Sequence, residues 1–588
     1  MNQNKKSLRV NFLDAVKNYK EKKFKNAEII CFKILSIDSN YTDALILLGT
    51  ISAVNRNFEK AKEFMQTAYD IDPQNTGVLN NLGTANKELG KIDEAISAYK
   101  KVLSINPNHV NANYNLGLTS YQLRDFKSAK TYLQKTVNLQ SNYALAFFNL
   151  GNVHADIKEN QEALSCYLKA IEINPNIVMA YNNLGLLYRE MSDYSNAIKF
   201  YKKAIALKSN HVNSHHNLAL AYKETGNFIK SIEFHENAIK LEPNNLSHYY
   251  YLCDLDKKTL SVELKNKIKK ILLSKEIGLS NFAYGNYLLA KYENQIKNYE
   301  NELKYLIKGH KNFFDIHKQK FEANNKYCFE DVNQIITGCK VQKTGTKNEI
   351  EINPIFITGL PRTGTTLVER IISSGEKFIP IGEETGVIGN YIPKKILENK
   401  SLNLGNVNEV RDDLLSIYKN LALVFKKYDY TFTDKSLDNF FYLELINEIY
   451  PNAKIINCRR NALSSIMSIF KNNLISLSWT HNLETIFKYF DNYFSIIENY
   501  NEINPNEMYE LQFEDLINNP NDESKKLMEF CDLPWDKKCL EFHKRKDQFS
   551  KTASNIQIRE AIYNNPEDKY SQYKSFLDEY GKKYSWFK

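Results

Sequence analysis

Residues 354–366 read PIFITGLPRTGTT, and this stretch decides the fold of the C-terminal half of the chain. Residues 354–358 form an apolar run of strand length. The turn Gly359-Leu360-Pro361-Arg362-Thr363-Gly364-Thr365-Thr366 follows, then a helical pattern over about 366–374. A glycine-containing strand-to-helix turn offers backbone N–H groups to an anion at a helix N-terminus. Arg362 adds a cation, and Thr365 and Thr366 add hydroxyl donors. The turn is P-loop-like and suits phosphate or sulfate. It is not a Walker A loop, because that motif needs lysine at 365, where Thr365 stands. Nucleoside triphosphate hydrolysis is therefore demoted. Further strands are expected at 431–433, 454–457 and 510–513, with helices around 437–450, 461–472, 480–500 and 515–531. Alternating strands and helices predict an α/β domain with a mostly parallel sheet covered on both faces. Ligands of such sheets bind at the carboxyl ends of the strands.

Upstream, the first 250 residues keep a period of 34. Gly49, Gly83, Gly117, Gly151, Gly185 and Ala219 form one series of small residues. Ala27, Ala61, Ala95, Ala129, Ala163, Ala197 and Ser231 form a second. Ser39, Pro73, Pro107, Ser141, Pro175, Ser209 and Pro243 form a third. Each unit reads as two amphipathic helices that cross at the small residues. The proline ends the second helix, since it lacks an N–H and disfavours helix in the residue before it. The spacing, with motifs such as Asn115-Leu116-Gly117, resembles the tetratricopeptide repeat. Six to seven units at 8–250 would stack as an α-solenoid with a concave groove for a protein or peptide. Asn81, Asn115, Asn149, Asn183 and Asn217 fit either contact with a bound peptide or bracing between repeats. Residues 251–347 lose the clean period and read as a bridge of degenerate helical hairpins, with 283–308 clearly helical and 343–347 (KTGTK) a surface linker. Residues 348–588 are the α/β domain.

A length of 588 residues predicts about four domain-sized units, which the array largely explains. Charged residues at 25% and apolar residues at 43% exclude wholesale disorder. The net charge of +9 is mild over this length and points away from nucleic acid as a partner. No apolar run approaches the ~18 residues of a membrane helix. The N-terminus shows no uninterrupted apolar secretory core, so a cytoplasmic location is expected. The eight cysteines form no C-x-x-C pair, and the eleven histidines form no H-E-x-x-H motif. Neither a disulfide framework nor a metal site is indicated. His481 beside Trp479 and Thr480 reads as a structural histidine.

Several ordered blocks of the α/β domain resemble the sulfotransferases. They are PRTGTTL at 361–367, GEET at 382–385, Thr433-Asp434-Lys435, Asn439-Phe440, residues 451–456 ending in Arg459-Arg460, Phe513-Glu514-Asp515-Leu516, Leu533-Pro534-Trp535, and Thr552-Ala553-Ser554 with Gln557 and Arg559. The likeness is nearest to the tyrosylprotein type and to bacterial fusions of tetratricopeptide repeats with a sulfotransferase. It implies 3′-phosphoadenosine 5′-phosphosulfate as donor and no metal. Pro361, Arg362, Thr363, Gly364, Thr365 and Thr366 would hold the 5′-phosphosulfate. Arg460 and Ser468 match the family's 3′-phosphate pair. Glu384 matches the catalytic base, and Lys435 the lysine that stabilises the bridging oxygen. Ser554 and Lys569 match positions near the phosphosulfate.

Four residues depart from the pattern. Gly386 and Asn390 stand where the tyrosylprotein enzymes carry arginines that read acidic substrates. Phe513 replaces a tyrosine, and Asn461 replaces an aspartate whose role is local capping. The reading is transfer of a sulfuryl group to a hydroxyl, with tyrosine of a protein or peptide bound by the repeats as acceptor. Sulfation of a carbohydrate, lipid or small molecule is the enzymatic alternative. A non-catalytic nucleotide-binding scaffold is the alternative outside catalysis. A homodimer stays open.

Overall fold

The computed structural model describes residues 2–274, 277–342, 352–545, 549–562 and 569–587. The expected linker at 343–347 lies outside them. The chain divides into two compact units, Met1–Asn217 and Leu218–Lys588.

The first unit is the repeat array, in which helices of 13 and 14 residues alternate, as in Thr76–Glu88 and Ile92–Ile105. The prolines fall where expected, with Pro73 just beyond the helix Phe58–Ile71 and Pro107 just beyond Ile92–Ile105. The small-residue series has a packing cause. A Cβ on Gly83 would lie 2.7 Å from Tyr99, on Gly151 2.7 Å from Tyr167, and on Gly185 2.6 Å from Tyr201. Each partner sits 16 residues later, on the second helix of the same unit. These tyrosines are buried and cannot swing away. Gly185→Ala should therefore destabilise the array by about 1–3 kcal/mol through overpacking. Denaturant unfolding followed by circular dichroism checks this, and an unchanged midpoint would reject the close-crossing account.

The asparagine ladder braces neighbouring repeats. Asn115 Nδ2 donates to Asn80 Oδ1 at 3.1 Å, Asn149 Nδ2 to Tyr114 Oη at 3.0 Å, Asn183 Nδ2 to Asn152 Oδ1 at 2.9 Å, and Asn217 Nδ2 to Asn182 Oδ1 at 3.1 Å. Each bond joins one repeat to the one before it.

The second unit holds the α/β domain. Its strands are β1 (Lys340–Gln342), β2 (Asn353–Gly359), β3 (Asn403–Asn406), β4 (Thr431–Lys435), β5 (Lys454–Arg459) and β6 (Met508–Gln512). β1 and β3 form a small parallel pair, too short and polar to be read from sequence. The main sheet has the order β4-β2-β5-β6, and every pairing is parallel. Alternate residues of β2 enter two cores. Phe356 packs with Phe432 and Ile455 on one face, and Ile355 and Ile357 pack with Val368, Ile456 and Leu527 on the other. Both faces are thus covered, as a parallel sheet requires.

Several expected helices resolve more finely. The pattern at 283–308 is a hairpin of Leu279–Gln295 and Tyr299–Ile316, with Lys297 at φ +59° in the turn. The expected 515–531 helix is two, Phe513–Asn518 and Pro520–Phe530, because Pro520 begins the second. The bridge hairpin shares a core with the sheet, since Tyr287, Leu288 and Phe313 belong to the same apolar cluster as Phe356.

Candidate active site

The site forms where the chain turns at the carboxyl end of β2, between β4 and β5. The strand order reverses beside it, between β2 and β5. Arg362 sits in the β2 turn at φ +70°, and Gly364 at φ +98° precedes the helix Thr365–Ser373. A Cβ on Gly364 would meet the Phe513 ring at 2.5 Å, so the close approach of that ring needs glycine as well as the positive φ. The Thr363 hydroxyl closes the turn by donating to the Leu360 carbonyl at 2.7 Å. Thr365 and Thr366 are buried.

The Arg362 guanidinium makes three bonds with parts of the chain distant in sequence. Nε donates to Ser468 Oγ at 3.0 Å, Nη1 to Ser554 Oγ at 2.8 Å, and Nη2 to Gln557 Oε1 at 3.0 Å. Arg460 Nη1 donates to the Arg362 carbonyl at 3.0 Å, and its guanidinium lies 4.7 Å from the Phe513 ring centroid. Burial, then the charges of Arg460 and Arg362, hold Lys569 below the ordinary lysine pKa. The expected residues Arg362, Arg460, Ser468, Ser554 and Lys569 therefore gather in one place. Beside them opens a cleft lined by Arg362, Arg460, Ser554, Phe513, Phe542 and Ile558 among others. Cations, hydroxyls and apolar rings thus line the same cleft. Asn461 caps the helix Ala462–Phe470 by accepting from Ser464 N at 3.0 Å, as its position suggests.

The second half of the site hangs on the free edge of β4. Residues 380–384 run along it. Thr433 N donates to Pro380 O at 3.0 Å, Lys435 N to Gly382 O at 3.0 Å, and Glu384 N to Lys435 O at 2.6 Å. A Cβ on Gly382 would lie 2.1 Å from the Thr433 carbonyl, so only glycine lets the segment come this near. The pairing sets Glu384 Oε1 3.4 Å from Lys435 Nζ, which also reaches Thr366 Oγ1 at 3.4 Å. Lys435 is 1% exposed. Burial opposes its charge, yet Glu384, Glu383 and Glu369 hold its pKa above the usual lysine value.

The two adjacent glutamates are not equivalent. The Glu383 side chain is 4% exposed and already engaged by Arg370 at 3.5 Å, Lys435 at 3.7 Å and the Ser550 hydroxyl at 2.8 Å. The Glu384 side chain is 44% exposed. It is the carboxylate of the pair that is open to solvent.

Some polar groups of the site carried no assigned role in the sequence. Gln557 lies in a quoted motif, but its bond to Arg362 is set by the fold. Glu369 and Arg370 form the buried floor; burial pushes the Glu369 carboxyl up despite Lys435. Asp434 accepts from Tyr418 Oη at 2.6 Å and Asn439 Nδ2 at 3.1 Å, and burial raises its pKa. Burial also pushes Asp438 up to about 6. Their burial leaves no mark in the sequence, where Asp434 lies between Thr433 and Lys435 like a surface residue. His481 is structural: buried, bonded to His310 Nδ1 at 3.0 Å, and with its pKa lowered by burial to about 2. Gly386 and Asn390 lie at and within the start of the helix Val387–Asn399. Among the described residues no group of three or more acidic, histidine or cysteine side chains could hold a metal ion. No described helix is long and apolar enough to cross a membrane.

A strand-to-helix turn, a cluster of cations and a Glu–Lys pair thus stand at the carboxyl ends of the strands. Residues 354–537 match the Sulfotransferase family. Tetratricopeptide-repeat families match residues 42–75, 85–123, 110–143, 142–210 and 212–245. The matches thus place a sulfotransferase-family region at 354–537 behind tetratricopeptide repeats within 42–245. An uncharacterized protein of Aquifex aeolicus (strain VF5) is 27% identical over 326 residues, covering 53% of this chain and 42% of that protein. The chain therefore spans less than half the length of this relative. The crystal structure of MamA is 32% identical, covering 28% of this chain and 95% of its own, with a TM-score of 0.27. That of YrrB, a TPR protein with an unusual peptide-binding site, is 24% identical, covering 32% and 96%, with a TM-score of 0.28.

Proposed function

We propose that residues 348–588 transfer a sulfuryl group from 3′-phosphoadenosine 5′-phosphosulfate to a hydroxyl, and that the array at 8–250, joined by the bridge at 251–347, holds a protein or peptide acceptor. The carrying observation is the convergence of Ser468, Ser554 and Gln557 on Arg362, with Arg460 and Lys569 beside it. So many cations and donors, mutually repelling in part, suit a ligand with several anionic groups.

The donor, when bound, supplies the sulfuryl group and the leaving 3′,5′-bisphosphate. Arg362 and the amides of the 361–366 turn hold the 5′-phosphosulfate end, with Ser554 and Lys569 alongside. Arg460 and Ser468 hold the 3′-phosphate. Glu384 takes the acceptor proton as the new O–S bond forms, and Lys435 steadies the charge on the oxygen that departs from sulfur. A phenol, with a pKa near 10, gains most from such a base, which favours tyrosine as acceptor. The absence of arginine at Gly386 and Asn390 favours a less acidic target than the tyrosylprotein enzymes read, or a carbohydrate, lipid or small-molecule hydroxyl.

The full chain should bind 3′-phosphoadenosine 5′-phosphate at least ~100-fold more tightly than AMP, as two charge-assisted bonds to the 3′-phosphate would give. Equal affinities by calorimetry would remove the 3′-phosphate assignment. The same titration has an expected pH sign. Binding favours protonated Lys569, whose free pKa is depressed first by burial and then by Arg460 and Arg362. Affinity should therefore fall as pH rises through that depressed value, below the ~10.4 of an ordinary lysine.

A further inference from the structure

The last matched repeat, residues 212–245, meets the loop that partners Arg362. The final carbonyl of its first helix, Val212–Glu224, accepts three bonds from that loop. Ser550 N donates to Glu224 O at 3.1 Å, Asn555 Nδ2 at 3.2 Å, and Arg559 Nη2 at 3.0 Å. The loop's other side serves the site: Ser554 and Gln557 accept from Arg362, and the Ser550 hydroxyl donates to Glu383.

The turn glycine at 226 shows that this contact is built in. Positions 22, 56, 90, 124, 158, 192 and 226 are equivalent, each 34 residues after the last, and all hold positive φ. Lys22, Arg56, Arg124, Lys158 and Ser192 sit there at φ of 58–64°, so the turn itself does not require glycine. Gly90, at φ +75°, has nothing within 4 Å of a Cβ. At Gly226 a Cβ would lie 2.5 Å from the Arg559 guanidinium carbon and from Nη1. The missing side chain at 226 leaves room for Arg559, whose guanidinium also lies 5.9 Å from the Phe228 ring centroid.

We propose that residues 224–228 of this repeat act as a latch that positions the donor-site loop, with Arg559 as its bolt. Arg559 is a positioning residue acting through Ser554 and Gln557. The latch ties the ordering of the donor site to the last repeat, the class of element that would hold an acceptor. This inference rests on the donor-site reading above.

The test uses the full chain with Gly226→Ala and, as control, Gly90→Ala. Both place an alanine at the same repeat position and positive φ, but only the first displaces the Arg559 guanidinium. The expected result is about tenfold weaker binding of 3′-phosphoadenosine 5′-phosphate by Gly226→Ala alone. The donor KM should rise similarly, with kcat at saturating donor within about twofold of wild type. Hydrogen exchange at the Ser550 amide should accelerate in the same variant. Unchanged binding and exchange in Gly226→Ala, or an equal loss in Gly90→Ala, would overturn the latch. If the wild type binds no bisphosphate while Ser550 is still released by Gly226→Ala, the donor-site reading fails and the latch falls with it, leaving only a structural contact of Arg559 with 224–228.

Discussion

Glu384→Gln is expected to bind 3′-phosphoadenosine 5′-phosphate as the wild type does and to transfer sulfate about 10²–10⁴-fold more slowly. The amide keeps the size of the carboxylate and the Cβ at the unusual φ of +52°, so the backbone is unchanged. It loses only the ability to take a proton. Binding should survive because the Glu384 side chain meets Lys435, whereas the Arg362 guanidinium meets Ser468, Ser554 and Gln557. Its near contact is Lys435, and a neutral amide leaves that ammonium paired with Glu383 at 3.7 Å. Single-turnover measurement with labelled donor and a phenolic acceptor separates the two effects. Retained turnover would remove Glu384 as base. A parallel loss of bisphosphate binding would mean that the residue shapes the donor site instead. The neighbouring Glu383→Gln is not an equivalent control, because that carboxylate receives Arg370, Lys435 and Ser550 in a buried setting and its neutralisation strikes the fold.

The array was legible because its rule is local and repeated: a small residue where helices cross and a proline where one ends. Gly185 against Tyr201 is the physical content of that rule. The parallel sheet was legible from continuous apolar runs such as 354–358, which only a strand buried on both faces sustains. The ends of Arg362, Glu384, Lys435 and Arg460 were legible because ordered motifs carry them. What the motifs did not contain is how these residues are brought together. The pairing of 380–384 with the free edge of β4 depends on the strand order, which no local pattern encodes. The difference between Glu383 and Glu384 is one of burial, and two adjacent glutamates look alike in a sequence. The bonds from Glu224 to 550–559 span more than 300 positions, and a backbone carbonyl leaves no trace in residue identity. Gly226 does leave one, but it shows only when the five non-glycine residues at equivalent turns are seen to hold the same φ.

Arg362→Ala should lower kcat by about 10²–10³-fold and weaken donor binding as well. The side chain is the hub on which Ser468, Ser554 and Gln557 meet, so its loss releases three segments at once. Alanine keeps a Cβ at φ +70°, which leaves the backbone of the turn, and the carbonyl that Arg460 grips, as they are. The effect then belongs to the guanidinium. Arg362→Lys sharpens the point. Lysine restores the charge but presents one compact donor group instead of a planar fork, so it cannot reach all three partners in their present places. If charge alone matters, lysine should recover most of kcat. If the fork aligns the sulfuryl group, lysine should recover binding more than turnover, raising affinity relative to alanine while kcat stays at least tenfold below wild type. Wild-type kinetics in Arg362→Ala would take the residue out of the donor site. With it would go the reading of the 361–366 turn as the anion cradle, since Arg362 is the cation of that turn.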